Sequence, residues 1–196
     1  MRLSGNDLSK RLEDFSSFTL LLISEINRTS RETIYKALDI TTDSELTEEQ
    51  IIEKLLELLS SYFKLPHPVS YDEALEIVCN SFEQGYIYPL YAMLDNDATL
   101  VFADDCILSD RDIVVFLSEK SPRHLYRFDE GIVTCDVLRV AEGERYGVGE
   151  RCILLTYPSE SGKKQYRIIK IHFDNGKIYK LELFYPIGPL HLVADE

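Results

Sequence analysis

Ile168-Ile169-Lys170-Ile171-His172-Phe173-Asp174-Asn175-Gly176-Lys177-Ile178-Tyr179-Lys180-Leu181-Glu182-Leu183-Phe184-Tyr185 is the stretch on which the fold of this 196-residue chain turns. Two runs rich in β-branched and aromatic residues flank an Asp-Asn-Gly-Lys segment, the pattern of a β-hairpin. Two turns compete for it. A two-residue Asn175-Gly176 turn would mix polar and apolar side chains on both faces. A three-residue loop, with a type I turn and Gly176 in the left-handed region, introduces a bulge and separates them. A one-residue slip moves every side chain to the opposite face, so face segregation selects the three-residue loop. On that register Ile169, Ile171, Tyr179, Leu181, Leu183 and Tyr185 share a face expected to form core and pocket. Ile168, Lys170, His172, Ile178, Lys180, Glu182 and Phe184 share the other, a mixed face with enough apolar area for a partner subunit.

Outward from the hairpin, strands are expected over about 124–129, 132–141, 145–157 and 165–174. Upstream, Ser70 caps a helix carrying Ala74, Leu75, Ile77, Val78 and Phe82, and Gly85 ends it. A short helix from Ile87 to Leu94 stops at Asp95-Asn96-Asp97, and Ala98-Thr99-Leu100-Val101-Phe102-Ala103 reads as a strand. Ser109 caps a third helix, with Asp112 at its third position. Before Pro66 the text is helical. Thr47-Glu48-Glu49-Gln50 is a capping box, and Ile51, Ile52, Leu55, Leu56, Leu58, Leu59 and Phe63 follow as a wide apolar stripe. Leu65-Pro66-His67-Pro68 must break that helix, because proline lacks the donor and clashes with the preceding turn. The expected organisation is an all-helical unit over residues 1–66 and an α+β domain over 67–196.

Helix, helix, strand, helix and then several long strands is an order that resembles the nuclear-transport-factor-2-like superfamily. Two passages carry the resemblance. Phe82-Glu83-Gln84-Gly85-Tyr86-Ile87-Tyr88-Pro89-Leu90-Tyr91-Ala92-Met93-Leu94-Asp95-Asn96-Asp97-Ala98 is similar to the family's opening, and Ile169 to Tyr185 is similar to its closing hairpin. The resemblance implies a curved antiparallel sheet wrapped on three helices, a cone with an internal pocket. Ketosteroid isomerases, scytalone dehydratases and polyketide cyclases share that fold, and in them acid–base residues project into the cone. No motif here matches those residues, so none is carried over.

Read from the residues themselves, proton transfer needs a carboxylate or imidazole in a dry pocket. The candidates are Asp104, with Asp105 beside it at the end of the first strand, His124 and Asp136; His172 falls on the mixed face. Tyr91, Tyr179 and Tyr185 are expected to line the pocket, each bringing an apolar body and a hydroxyl. Gly147 and Gly149 in Arg145-Tyr146-Gly147-Val148-Gly149-Glu150-Arg151 precede no helix, so they mark a strand bend rather than a phosphate loop.

Ile23-Ser24-Glu25-Ile26-Asn27-Arg28-Thr29-Ser30-Arg31-Glu32-Thr33-Ile34-Tyr35-Lys36-Ala37-Leu38 resembles a bacterial helix-turn-helix. There Arg31, Thr33, Tyr35 and Lys36 would face DNA and Arg28 a phosphate. Arg28 stands where the turn glycine is usual, and the basic and acidic residues of positions 1–40 balance. The whole chain has a net charge of −13, a field that repels phosphate backbones and anionic membrane surfaces.

Cys79, Cys106, Cys135 and Cys152 form no CxxC pair and read as reduced core or semi-core thiols, with no metal site. No cofactor motif is read. No apolar run approaches the length of a membrane span, and acidic Glu13 and Asp14 precede the early apolar run, so a cytoplasmic location is expected. The functional expectation is a non-enzymatic, dimeric module that holds a small apolar or amphipathic ligand or a protein partner. The alternatives are an isomerase, dehydratase or cyclase using Asp104, His124 or Asp136, and a ligand-responsive DNA-binding regulator.

Overall fold

The computed structural model of the chain describes residues 10–65, 68–102, 105–119, 134–140, 151–158, 163–184 and 192–194. Two compact units divide it, Met1–Pro66 and His67–Glu196.

In the first unit three helices follow a helical turn at 10–13: α1 (Ser17–Ile26), α2 (Arg31–Thr41) and α3 (Glu48–Tyr62). Each begins at a side-chain cap. Ser16 accepts from the Thr19 N–H, Ser30 from the Thr33 N–H, and Thr47 and Gln50 form the reciprocal box. A single carboxylate oxygen joins two of these starts. Glu48 Oε1 accepts from the Ser16 N–H at 2.8 Å, the Ser16 hydroxyl at 2.7 Å and the Thr19 hydroxyl at 2.6 Å. Arg11 donates to the carbonyls of Asp43 and Leu46, both at 2.7 Å, and so ties the leading turn to the α2–α3 connection. Ile51, Ile52, Leu55 and Leu59 of α3 are all buried. Each contributes roughly 1.5–3 kcal/mol relative to an exposed side chain.

The second unit runs α4 (Tyr71–Gln84), α5 (Ile87–Met93), β1 (Leu94–Phe102), β2 (Asp105–Leu108), α6 (Asp110–Glu119), β3 (Thr134–Val140), β4 (Arg151–Pro158), β5 (Lys164–Asp174), β6 (Lys177–Phe184) and β7 (Leu192–Ala194). Ser70 and Glu73 box the start of α4, and Gly85 ends it at φ +74°, where a side chain would be strained. The strand order is β2-β1-β6-β5-β4-β3-β7. The unit is α+β, as expected. Its sheet is mixed rather than wholly antiparallel, because β1 lies parallel to β6. Strands β2 and β7 were not anticipated. Asp105, read as the end of the first strand, opens β2, and β1 begins at Leu94, ahead of the supposed Asp95-Asn96-Asp97 turn. The strand expected at 124–129 lies outside the described residues.

The hairpin corrects the sequence reading at one point. Asp174 pairs directly with Lys177, so the turn is the two-residue Asn175-Gly176. Both residues have positive φ, +49° and +80°, which makes it type I′. Phe173 then pairs with Ile178, but His172 pairs with Lys180, so Tyr179 is an extra residue, a bulge. Beyond the bulge the expected faces hold, with Ile171 opposite Leu181 and Ile169 opposite Leu183. Between bulge and turn they are exchanged. Ile178, placed on the mixed face, is fully buried, whereas Tyr179, placed in the pocket, is 49% exposed.

The two turn geometries differ at Asn175, which has positive φ only in the two-residue turn. Asn175→Ala should therefore cost about 1 kcal/mol, the penalty of a side chain without local hydrogen bonding in the left-handed region, and Asn175→Gly should not. Urea denaturation of the three chains measures this. Equal midpoints for all three would contradict the type I′ turn.

Candidate functional site

Alternation along each strand assigns the two faces of the sheet. On β5 and β6, Ile169, Ile171, Phe173, Leu181 and Leu183 share a face. On β4 Ile153 and Leu155 join it, and on β3 Cys135 and Val137. This face looks toward the helices. The Tyr71 ring at the start of α4 meets Phe173 edge-on at 6.1 Å, and Asp72 is paired with Arg151 on β4. Glu83, at the end of α4, accepts the backbone N–H of Cys135 at 2.9 Å. Helix α4 thus crosses the sheet diagonally, from the turn end of β5 to the first residues of β3. On the opposite flank Phe116 of α6 packs on Phe102 of β1 with ring centroids 5.9 Å apart.

Next to the end of α4 lies a layer of inward residues: Cys135, Leu155 and Arg167. Leu155 and Arg167 are a direct cross-strand pair, as are Cys135 and Leu155. Leu155 is fully buried, and Arg167 is only 7% exposed. The Arg167 Nη1 donates to the Tyr166 carbonyl at 3.1 Å, and its Nε is buried without a hydrogen bond. The residue takes part in further interactions as well. A guanidinium cannot shed its charge in a protein, so burying it costs several kcal/mol unless anions and acceptors compensate. Arg167 was missed because a charged residue two positions after the exposed Lys164 and Gln165 reads as solvated. The signal was present nonetheless: Arg167 has the parity of Ile169 and Ile171.

The same layer holds a thiol pair. The Cys135 thiol is pushed up by its hydrogen bond with Cys79 of α4, then by burial, with the charges of Glu83 and Asp136 adding to the shift. Burial alone pushes the Cys152 thiol up to about 11. Cys106, expected to be at least partly buried, is exposed on β2.

The residues expected to form a site are not brought together. Asp104, His124 and Tyr185 lie outside the described residues. Asp136 is exposed and sits opposite Leu154, on the face turned away from α4. Tyr179 rests its ring beside His172 at 5.9 Å. Asp136 and Tyr179 are three strands apart, about 14 Å across the sheet. Tyr91 is half-buried on α5. Burial and the Asp110 charge raise its hydroxyl, partly offset by a hydrogen bond with Arg111. That hydroxyl joins α5 to the first turn of α6, which is a structural role.

On the outer face, His172 Nε2 lies 3.0 Å from Glu182 Oε2, while Lys180 pairs with Oε1 of the same carboxylate. A carboxylate only accepts, so His172 carries its proton on Nε2. Farther along this face Cys152 and Ile168 are buried among the partly buried Leu138, Leu154 and Phe184.

In the first unit Arg28, Arg31, Tyr35 and Lys36 are exposed, and Lys36 is paired with Glu32 at 2.8 Å. Thr33 does not face outward. It is buried, with its hydroxyl 2.8 Å from Ser30 Oγ, because it occupies the third position behind the Ser30 cap. A groove of about 460 Å³ runs beside α2 and α3, lined by Lys36, Asp39, Ile40, Lys54, Glu57, Leu58 and Ser61. Two cations face two anions there, which is not the basic stripe of a DNA reader. Among the described residues no helix is long and apolar enough to cross a membrane, and no group of three His, Cys, Asp or Glu residues is placed to hold a metal ion.

No protein-family model matches the sequence, and no curated protein matches it. Solved structures do resemble it. A nuclear-transport-factor-2-like protein of unknown function from Cytophaga hutchinsonii aligns at 10% identity and a TM-score of 0.43, over 63% of this chain and 95% of that one. A candidate polyketide cyclase from Sinorhizobium meliloti aligns at 10% and 0.43, over 61% and 95%. A candidate ketosteroid isomerase from Kribbella flavida aligns at 10% and 0.43, over 60% and 81%. At such identities and TM-scores these likenesses add no argument to the strand order and registers above.

The outer-face cluster makes pH a probe of the assignment. Burial pushes the Glu182 carboxyl up, but hydrogen bonds and charges from Lys180 and His172 outweigh it, and the net shift is downward. A carboxyl lowered in the folded state stabilises the fold above its unfolded pKa and loses that contribution as pH falls through the folded value. Glu182→Gln should cost about 1 kcal/mol at pH 7, and the difference from wild type should vanish in acid below the ordinary carboxylate range. Denaturant titrations at a series of pH values measure it. A constant difference across the acid range would contradict the pairing.

Proposed function

We propose that residues 67–196 form a non-enzymatic binding module of the nuclear-transport-factor-2-like kind, which holds a small apolar or amphipathic ligand between the inner face of the sheet and its helices. The observation that carries this reading is the diagonal course of α4. It covers Phe173 and Arg151 at its start and Cys135 at its end, while α6 lies over β1. The inward layer of Leu155 and Arg167 lies beside Cys135, next to the end of α4, and is bordered by Ile153, Ile169 and Leu183. Aliphatic walls with one polar group are the usual make-up of a small-molecule site. Asp136, His172 and Glu182 sit on the outer face, and the carboxylates over the inner face, Asp72 and Glu83, are engaged with Arg151 and with the Cys135 N–H. The module pairs with a second copy through the outer face, where Leu138, Leu154 and Phe184 form a partly buried apolar rim around Cys152 and Ile168.

The neutral fluorophore N-phenyl-1-naphthylamine should bind saturably, and Leu155→Trp, which fills the layer, should weaken binding by about tenfold or more, the scale of a lost buried contact. Near-ultraviolet circular dichroism checks that the variant is folded. No saturable fluorescence from the wild type would overturn the reading. Sedimentation should give a dimer, and Leu154→Glu a monomer; a wild-type monomer at all concentrations removes the dimer.

A further inference from the structure

We infer that Cys79 and Cys135 form a redox site, a dithiol that a hydroperoxide converts to a disulfide tying the end of α4 to the start of β3. Helix α4 packs against β3. Asp72, Cys79 and Glu83 are seven and four residues apart, so they fall on one stripe of that helix. Both ends of the stripe are fastened to the sheet. Asp72 is paired with Arg151 on β4, and Glu83 accepts the Cys135 N–H at 2.9 Å. Cys79, between them, therefore faces the sheet, one helical turn from the residue that holds the Cys135 backbone. Cys135 faces the helix, since it has the inward parity of Leu155. The two thiols meet in a hydrogen bond.

The pair sits at the margin of the core. Cys79 is 9% exposed, Cys135 is half-buried and Glu83 beside them is exposed, so a molecule as small as hydrogen peroxide reaches them from solvent. The other two cysteines lie elsewhere, Cys106 exposed on the edge strand β2 and Cys152 buried on the outer face.

Cys135 keeps its proton and donates it to the Cys79 sulfur, because that bond, burial and the charges of Glu83 and Asp136 all push its thiol up. Cys79 is thus the attacking sulfur. Its thiolate attacks one peroxide oxygen, the O–O bond breaks, and the departing hydroxide takes up the proton that Cys79 released. The product is a sulfenic acid on Cys79. The Cys135 sulfur then attacks the Cys79 sulfur, the S–O bond breaks, and hydroxide leaves with the Cys135 proton as a second water. The two thiols lose two electrons and the peroxide gains them. The carboxylates slow the first step, since only a thiolate attacks. The second step is intramolecular, and well-oriented groups reach effective molarities of roughly 10⁵ M or more, so the sulfenic acid closes to the disulfide before it oxidises further.

Peptide mapping of the folded full chain after treatment with hydrogen peroxide tests this, with the remaining free thiols alkylated in denaturant. The Cys79 and Cys135 peptides should be linked and should separate on addition of dithiothreitol. The linked chain should unfold at a higher urea midpoint than the reduced one, since a cross-link over a long loop restricts the unfolded chain. In Cys135→Ser the sulfenic acid on Cys79 should persist, and its labelling by dimedone should rise about tenfold or more over wild type. Cys106→Ser removes links between chains. Cys79 and Cys135 still alkylated as free thiols when Cys106 is fully oxidised would overturn the inference. So would a link that forms only when peroxide is added in urea, or a midpoint that does not rise. Equal dimedone labelling of Cys79 in the two chains overturns its role as the attacking sulfur. The wild-type map decides the matter even if a variant does not fold.

Discussion

The second unit depends on a count of residues in β6. In a strand with period two, one residue more or less between the turn and the body exchanges inside and outside for everything beyond it. Here a two-residue turn alone would have set Leu181 against Lys170, and Lys180 and Glu182 against Ile171 and Ile169. Tyr179 supplies the extra residue that prevents it. Its bulge restores the pairing of Ile171 with Leu181 and of Ile169 with Leu183. The same residue leaves Ile178 free to pack inward with Phe173, so the core gains one more aliphatic group next to the turn. Inner wall and outer charge cluster are two consequences of one insertion.

Helix ends were legible because a cap is a local contest. Ser70 with Glu73, Thr47 with Gln50 and Ser109 with Asp112 satisfy orphan N–H groups within one turn, and nothing distant has to agree. Strand faces were legible for the same reason that alternation is. The position of the bulge was not. A bulge glycine at the turn and a bulged tyrosine three residues beyond the type I′ pair restore the same parity, and the hairpin sequence alone does not separate them. What separates them lies across the other edge of β6, where β1 pairs through Leu94 with Ile178 and through Thr99 with Lys180, with an irregularity between. That partner is some eighty residues upstream, so local text does not reveal it. Strand β7, three residues long, has too little pattern to be read at all.

Arg167 was illegible for another reason. Burial of charge is decided by energy balance, and residue type is a strong prior for the surface. The prior outweighed the parity argument, although the latter used the same rule that placed Ile169 and Ile171 inside. Tyr91 failed in the opposite sense. Its aromatic body and helical position suited a pocket wall, but its hydroxyl is engaged with the first turn of α6. A buried tyrosine oxygen needs a partner, and one within the protein was already at hand.

The sheet therefore separates two electrostatic situations. Outside, Glu182 is held by His172 and Lys180, so that cluster is closed within the protein and explains its own presence as stability. Inside, Arg167 is buried beside Leu155 and takes part in interactions within the protein, among them its bond to the Tyr166 carbonyl. Replacing buried ionic groups by well-packed apolar ones is often neutral or stabilising. The inward pairing of Arg167 with Leu155 and the outward cluster at Glu182 thus follow from one alternation of side chains across the sheet.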